Sequence, residues 1–209
     1  MTTSPNRTVV AALLAATLAA CSGDSFTPSV GDGPTQVPES SLNALEIAPT
    51  ETPETTIVSF YAVKGEGREQ RLYTRKPDGS RDDEYLRLTV GGNSLLAAPD
   101  GHHYVPGDSV LITISVVDQS RMLFEFQPAG LKFNPGDPAE LRVSYAPVDG
   151  DFDHDGDHDA VDDSLESRLA IWRQETPGTP FQRLMSLIST SSHDVRADLM
   201  GFSRYAVSY

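Results

Sequence analysis

The chain has 209 residues, and its 30 Asp and Glu against 16 Lys and Arg give a formal net charge of −14. That balance argues against nucleic acid as a partner, because binding a phosphate backbone needs surplus Lys and Arg to displace counterions. The single cysteine excludes a disulfide framework and any cysteine-based zinc cluster, while 15 Pro and 16 Gly point to a turn-rich chain.

At the N-terminus, Arg7 precedes an apolar run of 11 residues from Thr8 to Leu18. A run of this length suits the hydrophobic region of a signal peptide, since crossing a bilayer core of about 30 Å takes about 20 residues. Leu18-Ala19-Ala20-Cys21 closes the run and resembles a bacterial lipobox. The resemblance implies a signal peptide over 1–20 and acylation of the Cys21 thiol. Two or three acyl chains exceed the single chain that binds membranes only marginally. The other reading of these residues is an ordinary secretory signal cut nearby, with an incidental cysteine. Ser22 stands where aspartate would signal inner-membrane retention, so the resemblance implies a cell-envelope protein, on the outer membrane where the host has one.

From Ser22 to about Thr56 the residues are mostly Ser, Thr, Pro, Gly and acid, with no sustained apolar period. Such a composition cannot bury enough surface to offset ordering entropy, so 21–56 reads as the lipidated cysteine followed by a flexible tether. From Ile57 onward short β-like runs alternate with turn residues. The runs are 57–63, 68–75, 84–90, 109–117, 122–127, 140–146, 169–172, 181–188 and 203–209. Asp78-Gly79, Asp100-Gly101, Pro135-Gly136 and Pro177-Gly178 punctuate them. Alternation is clearest where Leu141, Val143 and Tyr145 share one face and Arg142 and Ser144 the other. Helix is sparse, with two turns expected over 160–169. The fold class is therefore all-β, an antiparallel β-sandwich over 57–209 with a short helical turn following an acidic loop.

Five stretches carry a second resemblance: 86–96 (LRLTVGGNSLL), 107–116 (GDSVLITISV), 124–133 (FEFQPAGLKF), 139–145 (AELRVSY) and 201–209 (GFSRYAVSY). Together and in this order they resemble the ZU5-like domains of bacterial lipoproteins, over most of 84–209. The chain departs from that pattern at Val90-Gly91-Gly92, which lacks a proline, at Ser94 in place of alanine, and at Gly201 in place of histidine. The resemblance implies a β-sandwich used mainly as a structural or protein-interaction module.

Residues 151–162 read D-F-D-H-D-G-D-H-D-A-V-D and resemble the calcium loop of EF-hands and dockerins. Asp151, Asp153 and Asp155 take loop positions 1, 3 and 5, and Gly156 takes position 6. Calcium needs six to eight oxygens at about 2.3–2.6 Å, which a tight turn supplies from alternate residues. Glycine allows the sharp bend because it has no Cβ to clash at positive φ. Asp157 offers its backbone carbonyl at position 7, Asp159 acts directly or through water at position 9, and Asp162 closes the loop. From Asp149 to Asp163 there are eight aspartates and no Lys or Arg. Each like-charge pair at 4 Å repels by about 1 kcal/mol even in water, which favours one bound cation. A lone loop of this kind, without a paired second loop, implies a structural calcium ion. A rival reading joins His154 and His158, four apart, with flanking aspartates in a transition-metal site.

The basic residues Arg68, Arg71, Arg75, Lys76 and Arg81 read as an outward strand face balanced by Glu66, Glu69, Asp78, Asp82 and Asp83. Trp172, Tyr145 and Phe126 read as core residues rather than a sugar-stacking platform. No G-x-S-x-G, H-E-x-x-H or phosphate-binding glycine loop is present, so no catalytic residues are assigned and the chain is read as a non-enzyme. Its expected partners are the membrane, through Cys21, and a protein or glycan of the envelope. The leading reading is a calcium-stabilised structural or interaction module, and the alternative is a calcium-dependent carbohydrate-binding or adhesion module.

Overall fold

The computed structural model describes residues 24–31 and 35–209. The signal segment 1–20 and Cys21 lie outside the described residues.

Among the described residues, sixteen strands and one short α-helix follow one another. The first eight strands are β1 (Thr27–Pro28), β2 (Gln36–Val37), β3 (Thr52–Pro53), β4 (Ile57–Val63), β5 (Arg68–Arg75), β6 (Arg81–Val90), β7 (Leu95–Ala97) and β8 (Ser109–Asp118). β9 (Leu123–Gln127), β10 (Lys132–Phe133) and β11 (Ala139–Ser144) precede the helix α1 (Ala160–Glu166). β12 (Ala170–Gln174), β13 (Phe181–Arg183), β14 (Leu187–Ser189), β15 (Asp194–Leu199) and β16 (Arg204–Ser208) complete the fold. They form two seven-stranded antiparallel sheets, ordered β1-β14-β15-β11-β6-β5-β3 and β2-β13-β12-β16-β9-β8-β4, with β10 and β7 pairing separately. The molecule is an antiparallel β-sandwich.

Alternation builds the core. Leu86, Leu88, Leu141, Val143, Val195 and Ala197 of the first sheet are buried and face Ile112, Ile114, Phe124, Phe126, Tyr205 and Val207 of the second. The intervening residues of the first sheet point outward. There Arg71, Arg87, Arg142 and Arg196 stand directly opposite one another across four adjacent strands. Like charges placed so would repel, and the acids beside them offset this. Arg71 bonds Glu69 and Glu84 at 2.6 and 3.0 Å, Arg87 bonds Glu84 at 2.7 Å, and Arg142 bonds Asp194.

The sequence places 21–56 outside the fold as a tether, and the structure corrects that for residues 42–47. Leu42, Ala44, Leu45 and Ile47 are buried, with Leu45 only 3% exposed. Leu45 donates its N–H to the Val207 carbonyl at 2.9 Å and accepts from the Met122 N–H at 2.8 Å. Leu42 and Ala44 cover Ala170, Trp172, Phe181 and Ala206 on the outer face of the second sheet. That sheet is apolar on both faces here, so residues 42–44 supply the second layer its outer face needs. The domain therefore begins well before Ile57. Its N-terminal part lacks a local period because its apolar residues answer to a sheet formed much later in the chain.

Other differences are smaller. The expected strand 181–188 is two strands, β13 and β14, separated at Leu184–Ser186. β15 lies in the middle of the first sheet although no strand is expected there. Ser144 is 8% exposed, so its hydroxyl does not lie on the open face that alternation assigns it. It donates instead to the His193 carbonyl at 3.2 Å.

Candidate metal centre

The acidic loop joins β11 to α1. It is anchored at both ends. Upstream, Val148 bridges Ile47, and the Ala48 N–H donates to the Pro147 carbonyl at 2.9 Å. Within the loop Phe152 is 5% exposed and packs edge-on against Tyr209, whose hydroxyl donates to the Phe152 carbonyl at 2.8 Å. One apolar side chain thus fixes a loop that is otherwise almost all aspartate and histidine.

Around Phe152 the six predicted aspartates gather as two triads, Asp151–Asp153–Asp155 and Asp157–Asp159–Asp162. Within each, one carboxylate oxygen per residue lies within 4.8 Å of the others. Oxygens bound at about 2.3–2.6 Å around one calcium ion are separated by at most about 5 Å, so either spacing suits such an ion.

Oxygens of both triads accept from backbone N–H groups, and the triads differ in how far they are buried. In the first, Asp151 accepts from the N–H groups of Asp155 and Gly156 at 3.1 and 2.9 Å, which folds positions 5 and 6 back over position 1. Asp155 accepts from the Asp157 N–H at 3.2 Å. Gly156 has φ +98 with open space around a would-be Cβ, so the bend requires glycine through its backbone conformation and not through crowding. These three side chains are exposed or half-buried and reachable from solvent.

In the second triad, Asp162 is fully buried. Its Oδ1 accepts from the N–H groups of Phe152 at 2.6 Å and Asp153 at 3.4 Å, and its Oδ2 from that of Asp159 at 2.9 Å. Asp159 is the N-cap of α1 and accepts from the Val161 N–H at 2.6 Å, so Asp159 and Asp162 form a capping box. A carboxylate has about four lone-pair sites, and three of those on Asp162 are engaged by backbone. Asp162 closes the loop by hydrogen bonding, and the pattern D-x-x-D ahead of a helix was the available signal for this role.

Electrostatics separate the two ends in the same way. The Asp159 N–H first, with those of Phe152 and Asp153, holds the Asp162 carboxyl below the ordinary aspartate value of 3.8. Desolvation, then the neighbouring Asp155 carboxylate, pushes Asp153 above it. The strained charge is at Asp153, where a cation would relieve it.

Neither His154 nor His158 joins a triad among the described residues, and the all-oxygen sets suit a hard cation better than a transition metal. Four of the five basic residues are paired: Arg71 bonds Glu69 and Glu84, Arg75 and Arg81 both bond Glu54, and Lys76 bonds Asp82 at 3.2 Å. Trp172, Tyr145 and Phe126 are buried.

Beside the loop lies a cavity of about 640 Å³. Residues 42–49 form one wall, the 119–121 turn another, and Asp149, Asp151, Phe152, His154 and Tyr209 the third. Sequence reasoning had no means of finding it, because one wall comes from the segment read as a tether.

No protein family matches the chain, and neither the curated proteins nor the solved structures contain a significant match to it.

Proposed function

We propose that the chain is a lipid-anchored protein of the cell envelope, attached through Cys21, whose sandwich holds one structural calcium ion. In this reading the domain is a structural or protein-interaction module of ZU5-like type, and the ion braces the connection between β11 and α1. The observation that carries the reading is the Asp151–Asp153–Asp155 triad, with its oxygens within 4.8 Å, its calcium-loop register and its glycine at φ +98. Asp157 and Asp159 lie next along the loop and complete the oxygen supply through carbonyl, side chain or water. A lone extracellular loop binds with Kd on the order of 10⁻⁴–10⁻³ M. At ten times Kd the ion stabilises the fold by about 1.4 kcal/mol.

The test is a calcium titration by calorimetry on a chain that retains residues 24–209, beside an Asp151→Ala/Asp155→Ala variant. Saturable binding by the parent alone is expected. No binding at millimolar calcium would reduce 149–163 to a solvated acidic connection.

One observation favours the second reading, calcium-dependent carbohydrate binding or adhesion. The cavity adjoins the loop and is lined by both apolar side chains and polar groups, the mixture that sugar rings require. Calcium-dependent hits on a glycan array, lost in the same double variant, would select it over a purely structural role.

A further inference from the structure

The N-terminal residues do not leave the domain freely. Asp24 pairs with Arg142 at 2.9 Å, and the Phe26 ring lies under the guanidinium groups of Arg196 and Arg142, with centroid distances of 4.2 and 5.4 Å. β1 then pairs with β14, Thr27 opposite Ile188 and Pro28 opposite Leu187. The Ser29 N–H donates to the Ser186 carbonyl and the Val30 N–H to that of Ser167, each at 3.0 Å. Arg183 closes the series by donating to the Val30 carbonyl at 2.7 Å. An ion pair, two cation–π contacts and a strand edge hold residues 24–28 to the first sheet, and bonds to Ser186, Ser167 and Arg183 hold residues 29–30.

Only Ser22 and Gly23 separate Asp24 from Cys21. Three Cα–Cα steps of 3.8 Å at most bridge about 11 Å. An acyl group on Cys21 would therefore bring this edge of the sheet to the bilayer surface, in contrast to the roughly 30–35 Å that a free 35-residue tether would allow.

The chemistry of the edge agrees. In a chain of net charge −14, residues 25–31 (SFTPSVG) and 184–192 (LMSLISTSS) contain no charged side chain. At the far end of β1, Met185 and Val30 flank the Ser29–Ser186 hydrogen bond and are 92% and 46% exposed. Apart from Asp24, whose charge Arg142 offsets, this edge is uncharged and carries a protruding methionine, which suits a lipid headgroup layer where an apolar side chain gains from burial.

We propose that the β1–β14 edge of the sandwich is its membrane-facing surface, laid along the headgroups by the Asp24–Phe26 clamp, with Met185 and Val30 as a second apolar contact. The proposal rests on the lipid-anchor reading of Cys21. It fixes the domain's orientation: β4, an edge of the second sheet that packs against β5 on the side of the first sheet away from β1, points away from the membrane.

The test uses the full lipoprotein reconstituted in vesicles that carry a nitroxide-labelled lipid. Acylation occupies the only native thiol, so Met185→Cys and Tyr61→Cys each offer one labelling site, and both positions are exposed, at 92% and 63%. Quenching of a fluorophore at 185 is expected to exceed that at 61 several-fold. Inserting about 20 Gly/Ser residues between Gly23 and Asp24, roughly 25 Å of reach, should abolish the difference while leaving the protein membrane-bound. Equal quenching at the two positions in the parent, with Cys21 shown to be acylated by mass spectrometry of the N-terminal peptide, overturns the orientation alone. Unmodified Cys21 overturns the anchor reading, and the orientation with it.

Discussion

Leu45→Ala tests whether the N-terminal segment belongs to the fold. Leu45 is 3% exposed and sits in the main core, its N–H bonded to Val207 of β16 and its carbonyl to Met122, next to β9. The substitution leaves those backbone bonds in place and removes three carbons. At about 0.8 kcal/mol per buried CH₂ the transfer cost is roughly 2.4 kcal/mol. A cavity left behind raises the total into the range of about 2–5 kcal/mol. For a domain of this size each kcal/mol lowers Tm by about 2–4 °C, so the drop should lie between about 4 and 20 °C. Ser40→Ala, five residues upstream at an exposed position, is the control and should stay within about 0.5 kcal/mol of the parent. The assay is a thermal melt followed by circular dichroism, with urea unfolding to confirm that the m-value is unchanged. If Leu45→Ala melts together with Ser40→Ala, residues 42–47 do not pack as described and the tether reading returns.

The two ends of the acidic loop should respond unequally to neutralisation. Asp151→Asn is expected to abolish calcium binding with little change in the metal-free Tm, since weakening its exposed bonds from the Asp155 and Gly156 N–H groups is offset by removing one of several repelling carboxylates. Asp162→Asn should lower the metal-free Tm, because three backbone N–H groups lose a charged acceptor. Calorimetry at descending pH gives a third check. Asp153 has a raised folded-state pKa, so its carboxylate takes up a proton earlier than an ordinary aspartate, and calcium affinity should begin to fall while the pH is still above 3.8. The Asp162 contribution runs the other way: its folded pKa is depressed, so the stability it gives is complete above its unfolded value and is lost as pH falls through the folded one. Finally, a Cβ at Gly201 would lie 2.6 Å from the Leu131 carbonyl oxygen, which is already fixed by the Phe202 N–H at 2.9 Å. Gly201→Ala should cost about 1–3 kcal/mol, read as a lowered melting temperature.

Strands whose side chains alternate between core and solvent were legible. β4 and β5 have the bounds that the sequence predicts, because Phe60, Ala62 and Leu72 mark one face and Tyr61 and Arg71 the other. β15 is equally periodic, with Val195, Ala197 and Leu199 buried, but Asp194, Arg196 and Asp198 between them make it read as a polar connection. Those charges belong to the paired outer face of the sheet, a fact that only the register supplies. Residues 42–47 were illegible for a different reason. Their apolar side chains follow the shape of a sheet face more than a hundred residues away, and no local period records that. At the loop, spacing pointed to the aspartates and the glycine, yet it could not separate carboxylates reachable from solvent from one buried among backbone N–H groups. Asp162 is a carboxylate of the second kind.

The open edge of the second sheet has a bearing on how the protein behaves in solution. Among the described residues β4 pairs only with β8, and its ladder bonds fall at even positions, as the Val116–Thr56 and Lys64–Asp108 bonds show. The N–H and carbonyl groups of Ser59 and Tyr61 therefore point off the sheet, along a strand, IVSFYAV, with no charge and no proline to blunt it. Long-range repulsion between chains of net charge −14 opposes the pairing of two such edges. That repulsion vanishes near the isoelectric point of about 4.6 and is screened at high salt. Colloidal stability should therefore fail at mildly acidic pH before the fold does, with turbidity and new intermolecular β-structure appearing while the sandwich core remains intact.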